Sequence, residues 1–137
     1  MKTGIRQLPL SARQPTLNTT LPMSQYVDGF VIPLSKDKIE EYRRLAEKAE
    51  QIWKEHGALE FWECIGDDMD TKEMVSFPQL VKTSPDETVV FSWVVFESRE
   101  HRDQVNAKVM ADPRLKGDMP FDGKRMIFGG FEMMLQM

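Results

Sequence analysis

Apolar and polar positions fall into six periodic blocks that follow an aperiodic opening. Tyr26-Val-Asp-Gly-Phe-Val-Ile-Pro33 reads as a strand, with Val27 and Val31 on one side and Tyr26, Phe30 and Ile32 on the other, so neither face has a solvated character. The period then changes. From Lys36 to His56 the apolar residues Ile39, Tyr42, Leu45, Ala46, Ala49, Ile52 and Trp53 recur at helical spacing, with Ser35 at the cap position and Gly57 as the stop. Ala58 to Ile65 predicts a second strand. Gly66 to Glu87 is a polar connection containing Pro78 and Pro85, longer than a hairpin needs, and reads as an arm or lid. Thr88 to Phe96 is β-branched and aromatic on both faces and belongs at the sheet centre. Ser98 then caps a second helix with Glu100 in its first turn, and Pro113 ends it after Ala111 or Asp112. An Asp122-Gly123 turn leads into a last strand, Lys124 to Met133, where Gly129 and Gly130 imply a bulge or a close backbone approach.

This order, β-α-β-β-α-β, predicts an α+β fold. Right-handed crossovers convert it into a ferredoxin-like sandwich: a four-stranded antiparallel sheet in order 4-1-3-2, with both helices on one face. Two helices shield only one side of a sheet whose strands are apolar on both. The expectation is a homodimer packed through the second face, because a large bare apolar patch is not tolerated by a monomer.

Length and composition narrow this further. At 137 residues the chain is one domain, covering residues 23–137, and residues 1–22, rich in Thr, Pro, Leu and Gln, read as a flexible extension. Met23 stands just before the first strand and is a second possible start of translation. A single cysteine excludes an internal disulfide, and the opening residues lack the apolar run of a secretion signal, which points to the cytoplasm. No stretch approaches the roughly 20 apolar residues that span a bilayer. With 18 Lys and Arg against 22 Asp and Glu, the net charge of −4 offers no field for phosphate backbones, so neither membrane nor nucleic acid is an expected partner.

The runs Tyr26-Val-Asp-Gly-Phe30, His56-Gly-Ala-Leu-Glu60, Glu87-Thr-Val-Val-Phe-Ser-Trp93, Val105-Asn-Ala-Lys-Val-Met-Ala-Asp-Pro-Arg114 and Met119-Pro-Phe-Asp-Gly-Lys-Arg-Met-Ile-Phe-Gly-Gly-Phe131 resemble the bacterial domain-of-unknown-function family 1428. The resemblance covers the chain from about Met23 onward and implies the dimeric α+β barrel superfamily. It brings no established activity. The N-terminal extension and a short Arg114 to Met119 connection depart from the family pattern.

The predicted topology gathers the only two histidines, His56 and His101, at one end of the domain, beside Tyr26, Glu60 and Arg102. Imidazole exchanges protons near neutrality and arginine holds an anionic oxygen, so this is a candidate ligand pocket. Asp103 and Asn106 add polar groups on the same helix. The plainer reading, of a histidine at a helix C-terminus, a charged first turn and a solvated face, outweighs it. Lys124 and Arg125, at the opposite end, are anion-binding candidates near the first helix N-terminus. Cys64 reads as a small core residue rather than a nucleophile, and the three tryptophans and ten methionines as filling for core and dimer interface rather than for a ligand cavity. The acidic run Asp67, Asp68, Asp70 and Glu73 lacks the glycine and terminal glutamate of a calcium loop, so no metal is expected.

Three functional classes follow. A cofactor-independent enzyme on a small organic molecule predicts a closed cavity between helices and sheet, with His56, His101 or Arg102 reaching in. A non-catalytic small-molecule binder predicts the same cavity without an acid or base. RNA binding through the sheet requires exposed aromatics and a basic surface, against the charge found here.

Overall fold

The computed structural model describes residues 24–137, so the expected flexible extension over residues 1–22 lies outside the described residues. Four strands form one antiparallel sheet: β1 (Tyr26–Ser35), β2 (Glu60–Ile65), β3 (Glu87–Phe96) and β4 (Ile127–Glu132), in spatial order β2-β3-β1-β4. That is the order anticipated from the crossovers. Three helices complete the fold: α1 (Ile39–Glu55), α2 (Phe77–Val81) and α3 (Arg99–Met110).

Strand alternation divides the sheet into two environments. On the inner face, Ile32, Leu34, Val90, Val94 and Phe96 pack against Tyr42, Ala46 and Ile52 of α1 and against Val105 and Val109 of α3. On the outer face, Val31 and Val89 are covered by Val81 of α2 and by Met69. The connection expected to be a polar arm therefore holds a small helix that docks on the sheet. Ser76-Phe-Pro-Gln79 is its capping box: Ser76 Oγ accepts from the Gln79 N–H at 3.2 Å, and Gln79 Oε1 accepts from the Ser76 N–H at 2.9 Å. Beyond α2 the outer face stays open. Trp62, Phe91, Ile127 and Phe131 are exposed there, with Trp62 and Trp93 stacked at 6.0 Å.

Several boundaries differ from the sequence reading. Ser35 makes no side-chain cap; Lys36–Lys38 forms a 3₁₀ turn first, and Glu40 and Glu41 face the N-terminal dipole of α1. Gly57 ends α1 at φ +119°, a conformation that a side chain would strain, and the Ser98 hydroxyl caps α3 by accepting from the His101 N–H at 3.1 Å. The last strand starts at Ile127, because Gly123–Arg125 is a 3₁₀ turn closed by Asp122, whose carboxylate accepts from the Lys124 N–H. There is no bulge at Gly129 and Gly130, whose register against Gly29 and Asp28 is continuous. The glycine requirement there is close approach: a Cβ on Gly130 would sit 2.6 Å from the Tyr26 hydroxyl.

Candidate active site

Three inward-facing positions flanked on their own strand by apolar ones carry polar residues. Asp28 lies between Tyr26 and Phe30 on β1, Glu63 between Phe61 and Ile65 on β2, and Ser92 between Val90 and Val94 on β3. A polar side chain in such a place demands a partner or a role.

Asp28, 1% exposed, has partners. Arg102 Nη1 donates to its Oδ1 at 2.6 Å and Asn106 Nδ2 to its Oδ2 at 3.0 Å, which ties α3 to β1. Arg102 also lies 4.8 Å from the centre of the Tyr26 ring and donates to Asp103 at 2.8 Å, while Asn106 Oδ1 accepts from Trp53 Nε1 at 3.1 Å. Burial raises the Asp28 carboxyl above its ordinary value, with Asn106 and Arg102 opposing the rise. Every polar group of this cluster answers another, as in a structural ion pair.

Glu63 is different. Tyr42, from the apolar stripe of α1, donates its hydroxyl to Glu63 Oε1 at 2.7 Å, and burial pushes the carboxyl up to about 7. The Tyr42 hydroxyl is in turn held well above the usual phenol value, by burial and then by the neighbouring carboxylate. The pair faces a cavity of about 400 Å³ between α1, the inner sheet and the connection that follows α3. Phe30, Trp53, Phe61, Phe121, Met119 and Met126 supply much of its wall, and Ser92 contributes a hydroxyl. Aromatic and thioether groups thus line a ligand-sized space; of the tryptophans and methionines weighed between cavity and packing, Trp53, Met110, Met119 and Met126 lie here.

The residues singled out from sequence separate into three places. Arg102, Asp103 and Asn106 join the Asp28 cluster. His101 is held at the start of α3, its Nδ1 accepting from the Glu97 N–H at 2.9 Å, and a Cβ on Gly57 would meet its Nε2 at 3.3 Å. His56 lies nearby but pairs through Nε2 with Asp112 Oδ2 at 2.9 Å. None of these five lines the cavity; Asn106 reaches it only through Trp53, and His56 only through Asp112. At the other end Arg125 donates its fork to Glu87 at 2.9 and 2.7 Å, reaches the Val81 and Lys82 carbonyls and pairs with Asp122, while Lys124 stays exposed. Carboxylates already occupy the arginine proposed for anions. Glu87 is lowered to about 2, chiefly by its bonds to Arg125. Cys64 is exposed rather than buried, since it points to the uncovered side of an edge strand. Glu60 accepts from the Trp62 indole at 2.9 Å on the same exposed side. No group of three or more His, Cys, Asp or Glu suited to a metal occurs among the described residues. None of their helices is long and apolar enough to cross a membrane.

Residues 25–123 match the family described as protein of unknown function DUF1428. The uncharacterized protein YbaA of Escherichia coli K12 is 47% identical over 114 residues, covering 81% of this chain and 97% of its own, and the Shigella flexneri protein of that name matches equally. Among solved structures, the de novo designed protein Foldit4 covers 82% of this chain and 99% of its own at 10% identity, with a TM-score of 0.39. That likeness is too slight to carry an argument.

Proposed function

The chain belongs to the DUF1428 family of proteins of unknown function, and for it we propose an enzyme that moves a proton within a small, largely apolar organic molecule held between α1 and the sheet. The observation that carries this reading is one carboxyl, Glu63, hydrogen-bonded to Tyr42 and pushed up to about 7, facing a mostly apolar cavity of about 400 Å³. A group that titrates near neutrality exists in both forms at working pH, so it can take a proton and return it. The step needs side chains of this chain alone. The acid in the cavity favours an enzyme over a non-catalytic binder, whose pocket requires only shape.

The same reading includes a second copy of the chain on the open sheet face. Support comes from the exposure of Trp62 at 50% and Phe131 at 61% on a face that α2 covers at one end only. A cytoplasmic setting fits the single exposed Cys64.

A thermal-shift screen against neutral aromatic and aliphatic metabolites tests the cavity, since a ligand that binds only the native state raises its melting temperature. Compounds that stabilise the protein are expected to lose that effect in Ala49→Phe, which puts a bulky side chain into the cavity and leaves Glu63 in the sequence. Stabilisation that survives the substitution would place the ligand elsewhere.

A further inference from the structure

Ser92 is 4% exposed and lines the cavity, yet its hydroxyl has no hydrogen-bond partner among the described residues. Its strand register sets it directly opposite Glu63 on β2. Side chains so paired have Cβ atoms about 4.5 to 5.5 Å apart. Glu63 receives its bond from Tyr42 on the helix side instead, which leaves the serine hydroxyl free toward the cavity. A buried hydroxyl without a partner costs free energy that a ligand oxygen would recover.

We propose that Ser92 and Glu63 together recognise a neutral carbonyl compound, Ser92 donating to the carbonyl oxygen and Glu63 facing the C–H beside it. The inference rests on the cavity being the substrate site and adds the class of substrate. Glu63 as carboxylate takes the proton from the carbon next to the carbonyl. The C–H pair becomes the new C=C bond, and the C=O π pair moves onto the oxygen held by Ser92. The protonated Glu63 then returns its proton to carbon, at the same or the conjugated position, which regenerates the carbonyl. Nothing is oxidised or reduced and no co-reactant enters.

The surroundings favour a neutral compound. Anions meet the carboxyls of Glu63 and Asp112, and the cation in the lining, Lys116, is exposed to solvent. A hydrocarbon would leave Ser92 as it is.

Titration calorimetry with four matched probes decides the matter: phenylacetone, isobutylbenzene, phenylacetate and 2-phenylethylamine. Phenylacetone is expected to bind about five- to tenfold more tightly than isobutylbenzene, the worth of one neutral hydrogen bond, and more tightly than either ion. Ser92→Ala should erase the preference over the hydrocarbon while leaving the hydrocarbon's own affinity unchanged. In deuterated buffer, exchange of the phenylacetone protons next to the carbonyl should exceed the buffer rate with the native protein and fall to it in Glu63→Gln, with binding retained. The proposal is overturned by a preference that Ser92→Ala does not alter, by tighter binding of the amine or the acid, or by exchange that is absent or survives Glu63→Gln. If no probe binds at all, the cavity reading itself fails. If the hydrocarbon binds as well as the ketone, only the carbonyl assignment does.

Discussion

Glu63 trades solvation for a single hydrogen bond, and the imbalance is visible as pH-dependent stability. An unfolded glutamate titrates near 4.3, about as the free side chain does, whereas the native carboxyl holds its proton up to about 7. Below the lower value both states are protonated and the site carries no penalty. Between the two the unfolded chain releases a proton that the native chain keeps, so stability falls as pH rises, by roughly 3 kcal/mol over the whole window. Glu63→Gln removes the titration and keeps an acceptor for Tyr42. Its melting temperature is expected to rise relative to the native protein from pH 5 to pH 8 in calorimetric scans; parallel profiles would show that Glu63 titrates normally. The sequence signal for this residue was present, a carboxylate at an inward position between Phe61 and Ile65. It lay in the alternation of a short edge strand, whereas histidine chemistry drew attention to His56 and His101. Asp28 and Ser92 stand in the same relation to their strands. What alternation does not disclose is the partner: Tyr42 is 21 residues away, and Arg102 and Asn106 lie 74 and 78 from Asp28, so only the packed fold distinguishes a carboxyl with charged and amide partners from one with a single hydroxyl.

Among the elements, α2 shows how a short helix becomes stable enough to cover a sheet. Five residues are too few to hold a helix in isolation. The Ser76 and Gln79 capping box satisfies two donors at its start, and Val81, buried against Val31 and Val89, anchors its end. Ser76→Ala should cost about 1 kcal/mol and speed amide exchange in residues 77–82 ahead of the β1 and β3 amides. Uniform loss of protection across the sheet would mean that α2 is not a separately opening unit. The long elements were legible because their periods run for many residues. The ends were not, since a 3₁₀ turn at Lys36–Lys38 and another at Gly123–Arg125 shifted where α1 and β4 begin. The capping-box letters Ser76-Phe-Pro-Gln79 were readable too, but a polar, proline-containing connection concealed them.

At the scale of the molecule, the inner face lines a cavity partly open to solvent, and the outer face is left open beyond α2. A second copy packed on Trp62, Phe91, Trp93 and Phe131 is the proposed cover. Trp93→Glu, at the middle of that face, should shift the protein to the monomer mass in light scattering at micromolar concentration, with the fold retained by circular dichroism; a native protein that is already monomeric would remove the dimer from the account. Two-sided strand apolarity made this expectation readable from the residues alone, as did the strand order. The cavity was not readable, because its walls come from α1, three strands, the end of α3 and the connection after it, and an empty space has no letters of its own. The proposed enzyme depends on a carboxyl in this cavity that carries a proton near neutrality. Carbon-13 NMR titration of the glutamate side chains, with Glu63 assigned by its absence in Glu63→Gln, tests that most directly. Glu63 is expected to show a midpoint near 7, and a midpoint near the free side-chain value of about 4.3 would contradict that.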